Sequence, residues 1–292
     1  MARAACLIKF GPGVLMRLQR QLGAHGELEM MLREKVAVIY GAGGDVGGAV
    51  ARAFAREGAK VFLSGRSLRK VEAVAADIIS RGGVAEAAQV DALDEQAVDK
   101  YVGAVAEKAG GVDISFNAIS IAHALPNRAA LLELSAEHFA LPIATYTQAN
   151  FLTARSAARR MVARGSGMIL TITATPSRLA FPNVGGNAAA FAAVVALTRT
   201  LSAELAAQGV RVVCLMPNAM PETGTIRESF EKFAKAAGIT PAEYLARIGS
   251  MTHLRRLTTL AELANVAAFL ASDQASAMTG TVVNLTGGAI VE

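Results

Sequence analysis

From Lys35 onward, short runs of nearly continuous apolar residues alternate with longer stretches at helical spacing. The runs are VAVIY (36–40), VFLS (61–64), DISFN (113–117), MILTIT (168–173), VRVVCLM (210–216) and TVVNL (281–285), with a weaker one over Ala85–Val90. Apolar throughout rather than alternating, they have the pattern of parallel strands buried on both faces. Between them, Gly47–Glu57, Arg69–Arg81, Glu95–Ala109, Phe151–Arg164 and Ala188–Ala207 are each long enough for three or more helical turns. Such alternation predicts a single doubly wound α/β domain over residues 33–292, with a seven-stranded parallel sheet flanked by helices.

Two segments break the rhythm. Residues 1–32 carry Arg3, Lys9, Arg17 and Arg20 with no acid before Glu27, and Gly11, Pro12 and Gly13 interrupt any apolar core. They read as a flexible N-terminal extension. The stretch after Pro217 reads as irregular up to Leu254, and it carries Met220, Phe230, Phe233 and Met251, with Phe181 opposite. A long insertion after a late strand in an open α/β sheet is expected to be a lid, here about 218–254, over the ligand crevice.

Composition narrows the function classes. Hydrophobic residues make up 53% and charged residues 18% of the 292, which implies a packed core rather than disorder. The net charge of +5 is modest and no basic run is interleaved with aromatics, so nucleic acid is not an expected partner. The longest apolar stretch, Ala188–Leu197, is about half of what spans a bilayer, so no membrane segment is expected and a cytoplasmic protein is. Cys6 and Cys214 are too far apart in sequence to suggest a disulfide framework or a metal site. His25, His123, His138 and His253 are scattered, though His123 follows a strand end and could border a cavity.

The chemistry concentrates at strand ends. The first strand runs into Gly41-Ala42-Gly43-Gly44-Asp45-Val46-Gly47, and a helix follows. Strand, glycine turn and helix N-terminus together form the Rossmann arrangement for a dinucleotide pyrophosphate. Asp45 is expected to cap that helix with its carboxylate turned away from the ligand. After the second strand, Gly65 leaves space, and Arg66 with Ser67 offers a guanidinium and a hydroxyl to a ribose 2′-phosphate; an acid there would instead select a free hydroxyl. The expected cofactor is therefore NADP.

These features, with several downstream, resemble the short-chain dehydrogenase/reductase family over roughly Leu32 to Glu292. Asp91 is similar to the family's adenine-contacting Asp, Asn117-Ala118 to its Asn-Asn-Ala-Gly turn, and Pro217-Asn218 to the Pro-Gly turn that covers the nicotinamide. The tail RRLTTLAELANVAAFLASDQASAMTGTVVNLTGG (255–288) resembles the family's C-terminal helix and last strand. The resemblance implies a homodimer or homotetramer, with helix Ala188–Ala207 at the interface.

It also implies a general acid that this sequence does not carry. The family's Tyr exchanges a proton with the substrate oxygen, and a Lys one helical turn later depresses the Tyr pKa and holds the ribose. Those two positions align with Asn187 and Phe191, the partner Ser with Ala174, and the Asn of the preceding helix with Tyr146. No catalytic residue is therefore assigned. Thr173 and Thr175 flank Ala174, and Tyr146, Thr173 and Asn187 remain as candidate hydrogen-bond donors. The functions left open are an NADPH-dependent reductase of a small-molecule substrate (a hydrophobic enoyl or carbonyl compound), a non-catalytic NADP(H)-binding sensor or structural partner without a substrate, and a scaffold that has lost cofactor binding.

Overall fold

The computed structural model describes residues 30–120 and 129–291; Cys6, His25, His123 and the extension up to residue 29 lie outside these. Met31–Glu292 form one compact unit. Its strands are β1 Val36–Tyr40, β2 Lys60–Gly65, β3 Val84–Gln89, β4 Ile114–Asn117, β5 Gly167–Ile172, β6 Val210–Pro217 and β7 Val282–Leu285. Its helices are α1 Asp45–Arg56, α2 Leu68–Ser80, α3 Glu95–Ala109, α4 Ala136–Arg164, α5 Asn187–Leu205, α6 Gly224–Ala236, α7 Pro241–Ser250 and α8 Leu260–Ala271.

All seven strands lie parallel in one sheet of order β3-β2-β1-β4-β5-β6-β7. The order reverses at the β1–β4 pair, registered from Ala37↔Ile114 to Tyr40↔Asn117. A crevice opens beyond the carboxyl ends of such strands. Alternate residues of β1 feed opposite layers, as the strand period of two requires. Ala37 and Ile39 pack with Phe54 of α1, Val71 of α2 and Leu263 of α8. Val36, Val38 and Tyr40 pack with Val102 of α3 and Met161 of α4. Leu32, assigned to the extension by sequence, is fully buried in the first of these layers. Its N–H donates to the Glu57 carbonyl at 2.8 Å.

Two elements differ from the sequence reading. Helix α4 begins at Ala136, where Ser135 accepts from the His138 N–H at 3.2 Å, instead of at Phe151. Leu141-Pro142 looks like a stop because proline lacks an N–H and crowds the preceding turn. The helix nevertheless continues through Pro142, whose ring packs beside Gly186; a Cβ there would lie 2.0 Å from the Phe139 carbonyl oxygen. The lid is also not irregular, since it contains α6 and α7. Thr240 and Glu243 form a reciprocal capping box at the start of α7, with Pro241 as its first residue.

By length and composition, the helix over Asn187–Gln208 could cross a membrane, which the sequence reading did not foresee. In this fold it runs along α4 and against β6.

Candidate functional site

The switch point assembles the glycine turn. Gly41 follows β1 with φ of +70°, and a Cβ there would lie 2.8 Å from the Ala118 carbonyl oxygen just after β4. Only glycine lets these two backbones close the crevice floor. At Gly47 a Cβ would meet the Gly41 carbonyl oxygen at 2.4 Å, so α1 can start directly on the turn. Gly44, the N-cap, has no side chain to satisfy the first-turn N–H groups, which remain available to a ligand. Gly43 lies against Lys70 of α2, and Val46 is half-buried in the first turn of α1.

Asp45 does not cap α1. It is the first residue of that helix, and its Oδ2 accepts the N–H of Gly224, at the start of α6, at 2.9 Å. The carboxylate thus caps a different helix. Thr223, the local N-cap of α6, makes no capping bond, and its hydroxyl donates to the Met220 carbonyl at 2.9 Å.

At the end of β2, Arg66 and Ser67 are exposed, and the Arg66 guanidinium has no hydrogen-bond or ion-pair partner among the described residues. Gln89 donates to the Arg66 carbonyl at 3.0 Å and fixes the backbone there. Arg69 and Lys70 are exposed one turn further on, in the first turn of α2, which holds no acid. Asp91 is exposed, and its Oδ1 accepts the Leu93 N–H at 3.0 Å, which orders the loop after β3.

The Asn117 side chain is committed to the protein. Its Nδ2 donates to Thr153 Oγ1 at 2.9 Å and the Ala149 carbonyl at 3.2 Å, and its Oδ1 accepts from Ile119 at 3.0 Å. It pins β4 to α4, while Ala118 offers only backbone to the crevice. Pro217 ends β6 in a buried position. Asn218 tethers that end to the last turn, with Nδ2 donating to the Thr286 carbonyl at 3.3 Å and Oδ1 accepting from Ala219 at 2.8 Å.

The positions aligned with the expected chemistry meet between β5, α4 and α5. Tyr146 is buried, and its hydroxyl donates to the Ile172 carbonyl at 2.6 Å. Burial, with a smaller push from Cys214, holds its phenol far above the ordinary tyrosine range. It is a packing residue with a satisfied hydroxyl. Its ring stands edge-on to Phe191 at 5.6 Å. Thr173 Oγ1 donates to the Phe191 carbonyl at 3.0 Å. Ala174 is half-buried beside it, and Thr175 is buried. Asn187, the first residue of α5, is 2% exposed, and its Oδ1 has no hydrogen-bond partner among the described residues.

Residues 41–289 match the family model described as enoyl-(acyl carrier protein) reductase. The chain belongs to the short-chain dehydrogenase/reductase family. It is 29% identical over 262 residues to a 3-oxoacyl-[acyl-carrier-protein] reductase of Synechocystis, covering 89% of this chain and 98% of that protein. Among solved structures, sorbitol-6-phosphate 2-dehydrogenase from Erwinia amylovora superposes with a TM-score of 0.82 at 27% identity, over 88% of this chain and all of that one. A structure from Beutenbergia cavernae, described as an NAD(P)-dependent gluconate 5-dehydrogenase with bound NADP, gives 0.77 at 34% identity, over 89% of this chain and 98% of that one.

Along the loop before α5, this family member has a cavity of about 440 Å³ lined by Pro176, Leu179, Phe181, Val184 and Ala188, among others, but not by Asn187. The lid contributes less to it than its aromatics suggest. Phe230 and Phe233 pack on Tyr244 at 5.2 and 6.0 Å, holding α6 to α7. Met220 joins the core, while Met251 is exposed. A second cavity of about 330 Å³ lies at the amino ends of the strands, away from the glycine turn. Its charges are already committed: Lys35 pairs with Asp273 at 3.1 Å, Asp113 with Arg164 at 3.0 Å, and Arg211 donates to the carbonyls of Leu270, Ser272, Ala275 and Met278. No cluster of metal-ligating side chains occurs among the described residues. Burial raises the Cys214 thiol to about 11, the behaviour of an inert core residue.

Sequence reasoning missed the Asp45–Gly224 bond and the orphaned Asn187 oxygen. The first joins positions 179 residues apart, and the second depends on how α4 and α5 pack. Neither leaves a local signal.

Proposed function

We propose that the protein is an NADP(H)-binding oxidoreductase that reduces an apolar, conjugated enoyl substrate in preference to a simple ketone. The residues present fit the dinucleotide. The glycine turn holds no side chain between backbone and ligand at Gly41, Gly43 and Gly44, and the unpaired Arg66 guanidinium suits a 2′-phosphate. Ser67 stands beside it, Asp91 closes the adenine side, and Ala118, Pro217 and Asn218 border the nicotinamide end. When bound, the nicotinamide supplies a hydride.

The observation that carries the substrate reading is Asn187 with its unpartnered amide, at the position aligned with the family's Tyr. An amide cannot act as an acid near neutral pH. Its amide N–H is a donor that can stabilise an enolate oxygen without acting as an acid. Reduction of a conjugated C=C requires no more, since solvent can protonate carbon later. Ketone reduction needs a proton at oxygen as hydride moves. Tyr146 and Thr173 have spent their hydroxyls on Ile172 and Phe191. The lining of the adjacent cavity is almost entirely apolar, which favours a hydrophobic substrate.

The vacancy also favours a second reading, a non-catalytic NADP(H)-binding sensor or structural partner. In either case the protein would be cytoplasmic and a homodimer or homotetramer. Exposed apolar residues on α4 (Leu141, Phe151) and α5 (Ala189, Ala192, Ala196) support self-association.

The test is a fluorescence titration with NADPH and NADH, followed by turnover on matched enoyl and ketone substrates. Preferential NADPH binding with enoyl turnover supports the first reading. Binding without turnover of any conjugated substrate moves the protein to the second. Failure to bind either dinucleotide refutes both.

A further inference from the structure

The phosphate turn carries an anion of its own. Asp45 is the first residue of α1, so its carboxylate sits at the positive end of that helix. Its Oδ2 also accepts the Gly224 N–H at 2.9 Å, at the positive end of α6. A single carboxylate therefore lies in the first turn of one helix and bonds the first N–H of another, the kind of place to which a phosphate group is drawn. Thr223, the local N-cap of α6, makes no capping bond of its own, so the carboxylate bond at this N-terminus comes from Asp45.

A cation waits beside the same spot. Arg227, one turn into α6, is exposed and makes no ion pair with Asp45 or with any other described residue. The point that a Cβ on Gly224 would occupy lies 3.8 Å from Asp45 Oδ2 and 3.9 Å from Arg227 Nη2. Phe230 and Phe233 clasp Tyr244, so what happens at the α6 N-terminus is transmitted to α7.

We propose that Asp45 is an internal stand-in for the pyrophosphate: without dinucleotide it latches the α6–α7 lid to the glycine turn, and the dinucleotide displaces it, passing the α6 N-terminus and Arg227 to the phosphates. This rests on the NADP(H) reading above and adds a regulatory contact to the same site. Like charges cannot share the turn without mutual repulsion, so latch and pyrophosphate compete. The latch is a solvent-exposed bond, weak enough to be exchanged for a ligand.

The test uses the full chain with Asp45→Ala, Asp45→Asn and Arg227→Ala. In the absence of cofactor, hydrogen exchange of the peptide containing Gly224 should be about tenfold faster in Asp45→Ala than in wild type, the effect of losing one charge-assisted bond. With saturating NADPH, that difference should vanish. NADPH should bind Asp45→Ala and Asp45→Asn about five- to tenfold more tightly than wild type, and Arg227→Ala about tenfold more weakly. The Asn variant keeps the side-chain shape and isolates the charge if the Ala variant disturbs α1. Equal NADPH affinity in wild type and both Asp45 variants, or unchanged exchange at Gly224 in the empty Asp45→Ala protein, overturns the inference and leaves the cofactor reading standing. If no variant binds NADPH, both fall together.

Discussion

The ring of Tyr146 meets that of Phe191 edge to face, with centroids 5.6 Å apart and planes at 85°. One ring comes from α4 and the other from α5, and with Ala190 and Val194 they form a small apolar cluster of their own. Hydrophobic contact thus fills positions aligned with the family's Asn and Lys. Phe191→Ala should destabilise the fold by about 2 kcal/mol, because the ring is half-buried and loses an aromatic partner. Phe191→Lys should cost at least as much, since no carboxylate awaits the ammonium in that cluster. Thermal melts of the two variants check this; a Phe191→Lys protein as stable as wild type would show the cluster to be looser than its geometry implies.

Tyr146→Phe separates packing from chemistry. Removing the hydroxyl leaves the Ile172 carbonyl short of its 2.6 Å donor, at a cost of about 1–2 kcal/mol. Any enoyl turnover should be unchanged within about threefold, because a packing hydroxyl contributes no proton in the transition state. A drop of about a hundredfold or more would mark Tyr146 as a relocated acid, since general acid catalysis is typically worth about 10²–10⁴-fold.

Arg66→Ala should remove most of the preference for NADPH over NADH. A charge-assisted pair to a 2′-phosphate contributes about 1.5–3 kcal/mol, or roughly ten- to over a hundredfold in affinity. Paired titrations of wild type and variant report the ratio directly. Equal affinity of wild type for both dinucleotides contradicts the role given to Arg66.

Much of the architecture was legible because buried parallel strands announce themselves as apolar runs, and each of the seven lies within a residue or two of its run. The glycine turn was legible because Gly41 and Gly47 have no substitute where a Cβ would strike backbone. The early start of α4 was not legible, since a proline such as Pro142 gives no local sign of helix, and its close packing on Gly186 is invisible in one dimension. The lid helices could have been found from Thr240-Pro241-Ala242-Glu243, whose capping box is a local signal. What Asp45 binds could not, because its partner is set by how the lid folds back over the turn.

Stability toward acid should reflect the junction of the tail with the lid. Arg256 donates to both carboxylate oxygens of Glu262, and these bonds, with those from Thr259, lower the Glu262 pKa to about 2. A carboxyl depressed in the folded state stabilises fully above its unfolded value, near pH 4.5, and that contribution is lost as pH falls toward 2. Both side chains are more than a third exposed, so solvent screening keeps the effect small. Glu262→Gln should melt slightly below wild type at pH 7, and the gap should narrow between pH 4.5 and 2. A gap that stays constant over that range would mean the loss is one of capping geometry and not of charge.

The most direct test of the account is NADP-linked oxidation of secondary alcohols by the purified full-length protein, followed at 340 nm under conditions where NADP binding has been established. With Asn187, Phe191 and Ala174 at the aligned positions, no group among the described residues is placed to accept the hydroxyl proton as hydride leaves. The predicted result is no absorbance change above the protein-free blank across a panel of simple secondary alcohols. Brisk formation of NADPH with any of them would contradict it and would mean that a catalytic base acts from a position not assigned here.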